Sequence, residues 1–204
     1  MAITVETEQQ SGTGSVENRI SVRSLWKVFG EDPERAMSSE YIDKNKSVIQ
    51  EELGCVVALK DVSFDVNEGE TFVVMGLSGS GKSTLISLLA RLYDPSDGYL
   101  TVDGMDLKNY RSNTWRRKIG VVSQDTFLFN DTLRSNIQFG RLTATDDEVK
   151  NAASQANAHK FTLAMPDGYE TLMGDRGVRL SGGEAQRIAI ARAVLAEPDL
   201  LILD

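Results

Sequence analysis

Residues 76–83 read Gly-Leu-Ser-Gly-Ser-Gly-Lys-Ser, a run of glycines and serines that ends in a lysine and a hydroxyl residue. Glycines allow consecutive backbone N–H groups to turn toward an anion. Lys82 supplies a positive charge for the β- and γ-phosphates of a nucleotide, and the Ser83 hydroxyl is a natural ligand of magnesium. The pattern therefore predicts a phosphate-binding loop, and by itself it leaves kinases, GTPases and motor ATPases open.

The elements on either side of this loop have to hold it in place. Residues 70–75 are apolar and strand-like, and residues 83–92 have the composition of an apolar helix. A helix that follows such a loop adds the positive end of its dipole to the anion site. A glycine-rich turn with an incidental lysine is the alternative, and the complete motif with both flanking elements argues against it.

A second motif, Leu-Ser-Gly-Gly-Glu-Ala-Gln-Arg, occupies residues 180–187. Ser181 and Glu184 have the spacing of a capping box, which would begin the apolar helix of residues 184–196. A capping box does not explain Gly182 and Gly183, which would expose backbone N–H groups to a partner that approaches closely. We therefore expect a second phosphate contact here, in addition to the capped helix start.

These two motifs, followed by the apolar run of residues 200–203 and Asp204, make the chain resemble the ATP-binding-cassette (ABC) ATPases over residues 19–204. The resemblance implies an α/β P-loop NTPase with a RecA-like parallel sheet core. It also implies an antiparallel β subdomain and, at about residues 125–185, a helical subdomain that carries the signature. The implied ligands are ATP and Mg²⁺, and the implied assembly is a head-to-tail dimer with each ATP between one loop and the partner's signature.

The resemblance also implies roles for single residues. Gln124 is similar to the glutamine that contacts magnesium and the attacking water, and Asp204 to the aspartate that orders the magnesium shell. Phe29 is similar to the aromatic residue that stacks on adenine, with Trp26 as the competing candidate. The implied magnesium contacts are Ser83, Gln124 and Asp204, and the implied ATP contacts are Phe29, Gly76, Ser78, Gly79, Ser80, Gly81, Lys82, Ser83, Thr84, Ser181, Gly182 and Gly183.

The sequence departs from the family pattern at several points. Glu184 stands where the signature usually has glutamine, and His159, the single histidine, precedes the signature and is interpreted as structural or exposed. The catalytic glutamate expected after Asp204 and the later switch histidine are not in the sequence. We therefore expect a domain that is incomplete at its C-terminus and that does not turn ATP over as residues 1–204.

The two halves of the chain resemble different transporters. Four stretches resemble the ATPase subunits of glycine betaine/proline importers: residues 27–36, the polar insertion of residues 31–54, residues 57–63 and residues 72–84. The stretches that resemble exporters instead are residues 119–130, 136–140 and 165–177. Import and export stay open at this point. In either case the resemblance implies a permease subunit or a fused transmembrane domain as partner, at the cytoplasmic face of the membrane.

The amino-acid composition argues against several other classes of function. The net charge of −8 argues against a protein that coats nucleic acid, and Cys55, the single cysteine, cannot form an internal disulfide. Residues 1–18 are polar and acidic, which predicts a disordered tail rather than a signal peptide. The alternatives to a transporter ATPase are a soluble ABC ATPase acting on DNA or ribosomes, and a nucleotide-binding module without turnover.

Overall fold

The structure is a computed structural model of the 204-residue chain, and it describes residues 4–8, 18–173 and 180–204. For residues 4–8 and residue 18 the description covers the backbone alone. Residues 174–177, the end of the last exporter-like stretch, lie outside the described ranges. The chain divides into two compact units, Met1–Ser112 and Asn113–Asp204.

The first unit is rich in β-strands. Its elements in chain order are β1 (Thr4–Glu8), β2 (Asn18–Phe29), α1 (Pro33–Ala36), α2 (Lys46–Leu53), β3 (Val56–Asn67), β4 (Thr71–Met75), α3 (Lys82–Leu89), β5 (Asp97–Val102), β6 (Met105–Asp106) and a 3₁₀ turn (Leu107–Asn109).

A four-stranded antiparallel sheet in the order β3-β2-β5-β6 forms the centre of this unit. Ile20 and Val22 alternate with more exposed residues along β2 and are buried, as expected for a strand with one face on the core. The register of β2 with β3 shifts after Val22, near Ser24, whose φ is 42°. At the far end of β2, Phe29 lies opposite Val56 of β3.

The segment of residues 31–54 packs on this sheet through a small apolar cluster. Tyr41 and Ile49 are buried there against Trp26 and Val28 of β2. The run of residues 47–54 predicts a short helix that Gly54 ends, and this helix is present as α2. It ends because Gly54 adopts the left-handed conformation, with φ 63°, and donates its N–H to the carbonyl of Gln50.

Strand β1 pairs antiparallel with β4, with Thr4 opposite Met75 and Glu8 opposite Thr71. The disordered-tail prediction therefore does not hold for these five residues, while residues 1–3 and 9–17 lie outside the described part of the chain. Composition predicted disorder because the segment offers little to bury. Pairing with the edge of β4 instead satisfies backbone groups, and the β-branched Thr and Val residues of β1 favour strands.

The second unit is mostly helical. Its elements are α4 (Ser112–Arg116, which begins at the boundary), β7 (Ile119–Val122), α5 (Leu133–Gln138), α6 (Asp146–Gln155), α7 (His159–Leu163), a 3₁₀ turn (Gly168–Glu170), α8 (Gly182–Leu195) and β8 (Leu200–Leu203).

Strands β7 and β8 are parallel, with Ile119 opposite Leu200 and Val122 opposite Leu203. A Cβ atom at Gly120 of β7 would lie 3.1 Å from both Leu201 Cδ1 and Pro198 Cγ. The glycine thus lets β7 pack closely against β8 and the loop that precedes it. This pair is the part of the implied parallel core that the described residues contain.

The helices of this unit share one apolar core. Ile188, Ala191 and Leu195 lie on one face of α8 and are buried against residues of α5 and α6, among them Ile137 and Val149. Their spacing is that of an amphipathic helix. None of the described helices has the length and apolar composition that crossing a bilayer requires.

Several element boundaries differ from the sequence predictions. Residues 146–161 are rich in Ala and Asn and have the periodicity of a single helix, but the structure divides them into α6 and α7. The division falls at Asn157, which adopts a left-handed conformation, with φ 54°. Helix α3 ends at Leu89, and Arg91 beyond it also has a positive φ of 52°. Helices α4 and α5 were not predicted, since neither has enough turns to produce a clear hydrophobic period.

Candidate functional site

The phosphate-loop motif connects β4 to α3, as the sequence predicts. Gly79 has φ 77° and Gly81 has φ 100°, conformations that residues with side chains rarely adopt. A Cβ atom at Gly81 would lie 2.5 Å from the Ala58 carbonyl oxygen and 2.7 Å from Leu59 Cδ2. The end of the loop therefore rests directly on the backbone of β3, and only glycine fits there.

Hydrogen-bond donors occur along the loop and at the start of α3. Gly81 caps α3 without a side-chain acceptor, so the first turn of the helix presents its backbone N–H groups. Ser80 is 8% exposed and its hydroxyl has no partner among the described residues. The Lys82 ammonium group reaches back along the loop and donates to the carbonyl oxygens of Gly76 and Leu77. Such a set of donors suits a polyphosphate anion.

The remaining residues of the motif are more open. Ser78 and Ser83 are exposed and Thr84 is half-buried, so a hydroxyl at the start of α3 faces solvent beside the loop. Magnesium in nucleotide sites typically combines one such hydroxyl with phosphate oxygens and a carboxylate. Within the described residues no group of three or more His, Cys, Asp and Glu side chains could hold a metal ion. The role of Ser83 as a magnesium ligand stays a prediction from the sequence.

Phe29 is the more accessible of the two candidate base-stacking residues. It is 37% exposed, whereas Trp26 is 8% exposed and packs in the apolar cluster beneath the segment of residues 31–54. Phe29 pairs with Val56, and two positions further along β3 the Ala58 carbonyl contacts Gly81. The same stretch of β3 therefore supports both the phosphate loop and the aromatic residue.

Gln124 and Asp204 lie at the same end of the parallel pair in the second unit. Val122 of β7 is opposite Leu203 of β8, and the Asp204 N–H donates to the Val122 carbonyl over 2.9 Å. Both side chains are exposed. An amide and a carboxylate at the carboxyl ends of neighbouring parallel strands are in the usual position for binding groups of an α/β fold.

The signature begins α8 with a complete capping box. Ser181 donates to Glu184 Oε2 from its N–H over 2.9 Å and from its hydroxyl over 2.7 Å, and the Glu184 N–H donates to Ser181 Oγ over 3.4 Å. These hydrogen bonds from Ser181 lower the pKa of Glu184 below its ordinary value. The capping box predicted for Ser181 and Glu184 is therefore confirmed.

Within the described part of the chain, no close contact requires glycine at positions 182 and 183. A Cβ atom at Gly182 would meet nothing within 4 Å, and one at Gly183 would meet only the Arg187 guanidinium, at 3.8 Å. Neither glycine has a positive φ. Glycine in a helix costs about 1 kcal/mol relative to alanine. Their presence is consistent with close approach of a group from outside the described residues.

A buried polar cluster that sequence reasoning missed joins α8 to the segment after Gln124. Asn136 of α5 is fully buried, and its side chain accepts from the Phe129 N–H over 2.8 Å and donates to the carbonyls of Phe129 and Thr132, both over 3.0 Å. Arg192 of α8 donates to the Asn136 carbonyl, to its Oδ1 and to the Phe127 carbonyl. Burial lowers the pKa of Arg192. A lone asparagine in an amphipathic sequence gave no signal of this role.

Comparisons with known proteins agree with these features. The profile of the ABC transporter family matches residues 59–204. The chain is 53% identical over 146 residues to a Bacillus subtilis protein named as a multidrug export ATP-binding/permease protein, YgaD, and 53% identical over 146 residues to ATP-binding cassette sub-family B member 6 of Xenopus tropicalis. Each match covers 72% of this chain, but only 25% of the first relative and 17% of the second.

Among solved structures, a bacterial Atm1-family ABC exporter with ATP bound is similar with a TM-score of 0.70 and 36% sequence identity, over 93% of this chain and 29% of that one. The fold is thus that of a P-loop NTPase, with an antiparallel sheet beside the phosphate loop and helices that carry the signature. The chain belongs to the ABC transporter family, of which it contains an ATP-binding domain.

Proposed function

We propose that this chain contributes the ATP-binding residues of the ATP-hydrolysing domain of an exporter-type ABC transporter, which powers transport through a transmembrane partner. The observation that carries the proposal is the phosphate loop itself. Gly81 is fixed on β3, the start of α3 has no side-chain cap, and the buried Ser80 hydroxyl lacks a partner among the described residues. A loop with these properties is suited to hold the phosphates of ATP.

Each residue of the loop then has a defined task. The N–H groups of Gly79 and of residues 81–84, together with the Lys82 ammonium, bind the β- and γ-phosphates, for which Lys82 exchanges its carbonyl contacts within the loop. Ser83 would ligate the magnesium ion of the nucleotide. Gln124 and Asp204, at the carboxyl ends of β7 and β8, keep the magnesium and water contacts that the sequence predicts for them. Magnesium, when bound, neutralises charge that develops on the transferred phosphoryl oxygens.

The signature would act on a second nucleotide. Ser181, Gly182 and Gly183 would bind the γ-phosphate held by the loop of a second ATP-binding domain, in a head-to-tail dimer. For this contact the Ser181 hydroxyl has to leave Glu184 Oε2, its present acceptor. The open space at Gly182 supports the proposal, because a phosphate can approach the helix start there.

Export is favoured over import by the names of the relatives. The Bacillus relative is named for multidrug export and the structural neighbour is titled an exporter. We therefore propose a transmembrane domain at the cytoplasmic face of a membrane as the partner. The resemblance of residues 27–54 to importer subunits stays a prediction about the origin of that segment.

Nucleotide-dependent self-association tests this proposal. We expect Ser181→Arg to bind Mg·ATP as the unmodified chain does but to remain monomeric by light scattering, whereas the unmodified chain associates with ATP bound. Ser154→Arg changes another exposed serine, near the end of α6, and serves as the matched control. Association of the Ser181→Arg variant at the control level would mean that the signature is only a capped helix start.

A further inference from the structure

Phe29 is not an isolated aromatic at the end of β2. Its ring lies at right angles to that of Tyr93, with 5.3 Å between the ring centroids and an interplanar angle of 82°. Tyr93 follows α3, and the residue is 49% exposed. Edge-to-face packing of this kind is a favourable geometry for two aromatic rings.

The loop that carries Tyr93 is fastened to β2 by hydrogen bonds. The Lys27 ammonium donates to the Asp94 carbonyl over 2.8 Å and lies 5.1 Å from the Phe29 centroid and 5.5 Å from the Tyr93 centroid. Two positions further on, the Ser96 hydroxyl accepts from the Val28 N–H over 3.0 Å. Tyr93 is therefore held in a fixed position relative to the Phe29 ring.

A base-stacking residue benefits from such support. An exposed phenylalanine at a strand end can adopt several rotamers, and ordering its ring when a ligand binds costs free energy. A ring held edge-to-face by a neighbour has already lost that freedom. The remaining exposed surface of Phe29 is then available to the base, and the phosphate loop shares the supporting strand β3.

We infer that Tyr93 is a positioning residue for the nucleotide base, which fixes the Phe29 ring in the orientation that stacks on adenine. The inference rests on the proposed function, since it assigns a task to the same ATP site. It predicts an effect that depends on the base, because Tyr93 has no part in holding the phosphates.

The test compares binding of ATP with binding of inorganic tripolyphosphate, each with Mg²⁺, by calorimetry. We expect Tyr93→Leu to weaken ATP binding about three- to tenfold, the range of an aromatic pair, and to leave tripolyphosphate binding unchanged. Tyr93→Phe keeps the ring and should bind ATP normally. Tyr99→Leu is the matched control, since Tyr99 is also 49% exposed but lies opposite Arg23, further back along β2.

A double variant separates positioning through Phe29 from other effects. In a Phe29→Ala background, which removes the stacking ring, Tyr93→Leu should cause no further loss of ATP affinity. An additive loss in that background, an equal loss for tripolyphosphate, or normal ATP binding by Tyr93→Leu would overturn the inference. If the unmodified chain bound neither ligand, the proposed function itself would fail, and this inference with it.

Discussion

Substitution of Gly81 by alanine measures how firmly the phosphate loop is held against β3. A side chain at φ 100° is strained, and a left-handed conformation costs about 1–2 kcal/mol for a residue other than glycine. The new Cβ atom would also lie 2.5 Å from the Ala58 carbonyl oxygen. Accommodating an extra methyl group in such a close contact lowers stability by about 1–3 kcal/mol.

We therefore expect Gly81→Ala to lower the free energy of unfolding by about 2–5 kcal/mol, measured by urea denaturation. Gly79→Ala is the matched control, because Gly79 also has a positive φ, 77°, but a Cβ atom there would meet nothing within 4 Å. This control should show the conformational cost alone, about 1–2 kcal/mol. ATP affinity, measured on the same proteins, should fall further in Gly81→Ala.

The difference between the two variants isolates the contact with β3. If Gly81→Ala and Gly79→Ala destabilised the protein equally, within about 0.5 kcal/mol, the loop could not be resting on Ala58 as the structure has it. That result would refute the argument that β3 supports the phosphate site.

Two further predictions concern the second unit. Asn136→Leu should lower the free energy of unfolding by about 3–5 kcal/mol, because the Phe129 N–H and carbonyl lose their Asn136 partner and one N–H of Arg192 loses its Oδ1 acceptor. The exposed control Asn151→Leu should have little effect, and equal denaturation midpoints would contradict this. The lowered pKa of Glu184 means that its carboxylate stabilises the folded state at pH values above about 4.3 and loses this effect as the pH falls through its folded pKa. The stability difference between the unmodified chain and Glu184→Gln should therefore shrink from pH 7 to pH 3, and a constant difference would be evidence against the capping box.

The sequence was most informative where function constrains several consecutive residues. The phosphate loop, the capping box of Ser181 and Glu184, and the strand before Asp204 were all predicted, because each depends on local residue types and on nearby spacing. The end of α2 at Gly54 was predicted for the same reason.

Contacts between distant residues were not predictable in this way. The Phe29–Tyr93 pair and the Asn136–Arg192 hydrogen bonds join residues that are far apart in the sequence, so no local pattern indicates them. The pairing of β1 with β4 was also missed, since a polar segment can still satisfy the backbone of a strand edge.

The central claim is that residues 76–84 bind the phosphates of ATP, and calorimetric titration with Mg·ATP tests it most directly. Lys82→Ala removes the ammonium group that donates within the loop, while Lys150→Ala removes an exposed lysine of α6 and serves as the control. The account predicts saturable binding by the unmodified chain and by Lys150→Ala, with no measurable affinity for Lys82→Ala. Equal affinity of all three proteins would contradict it.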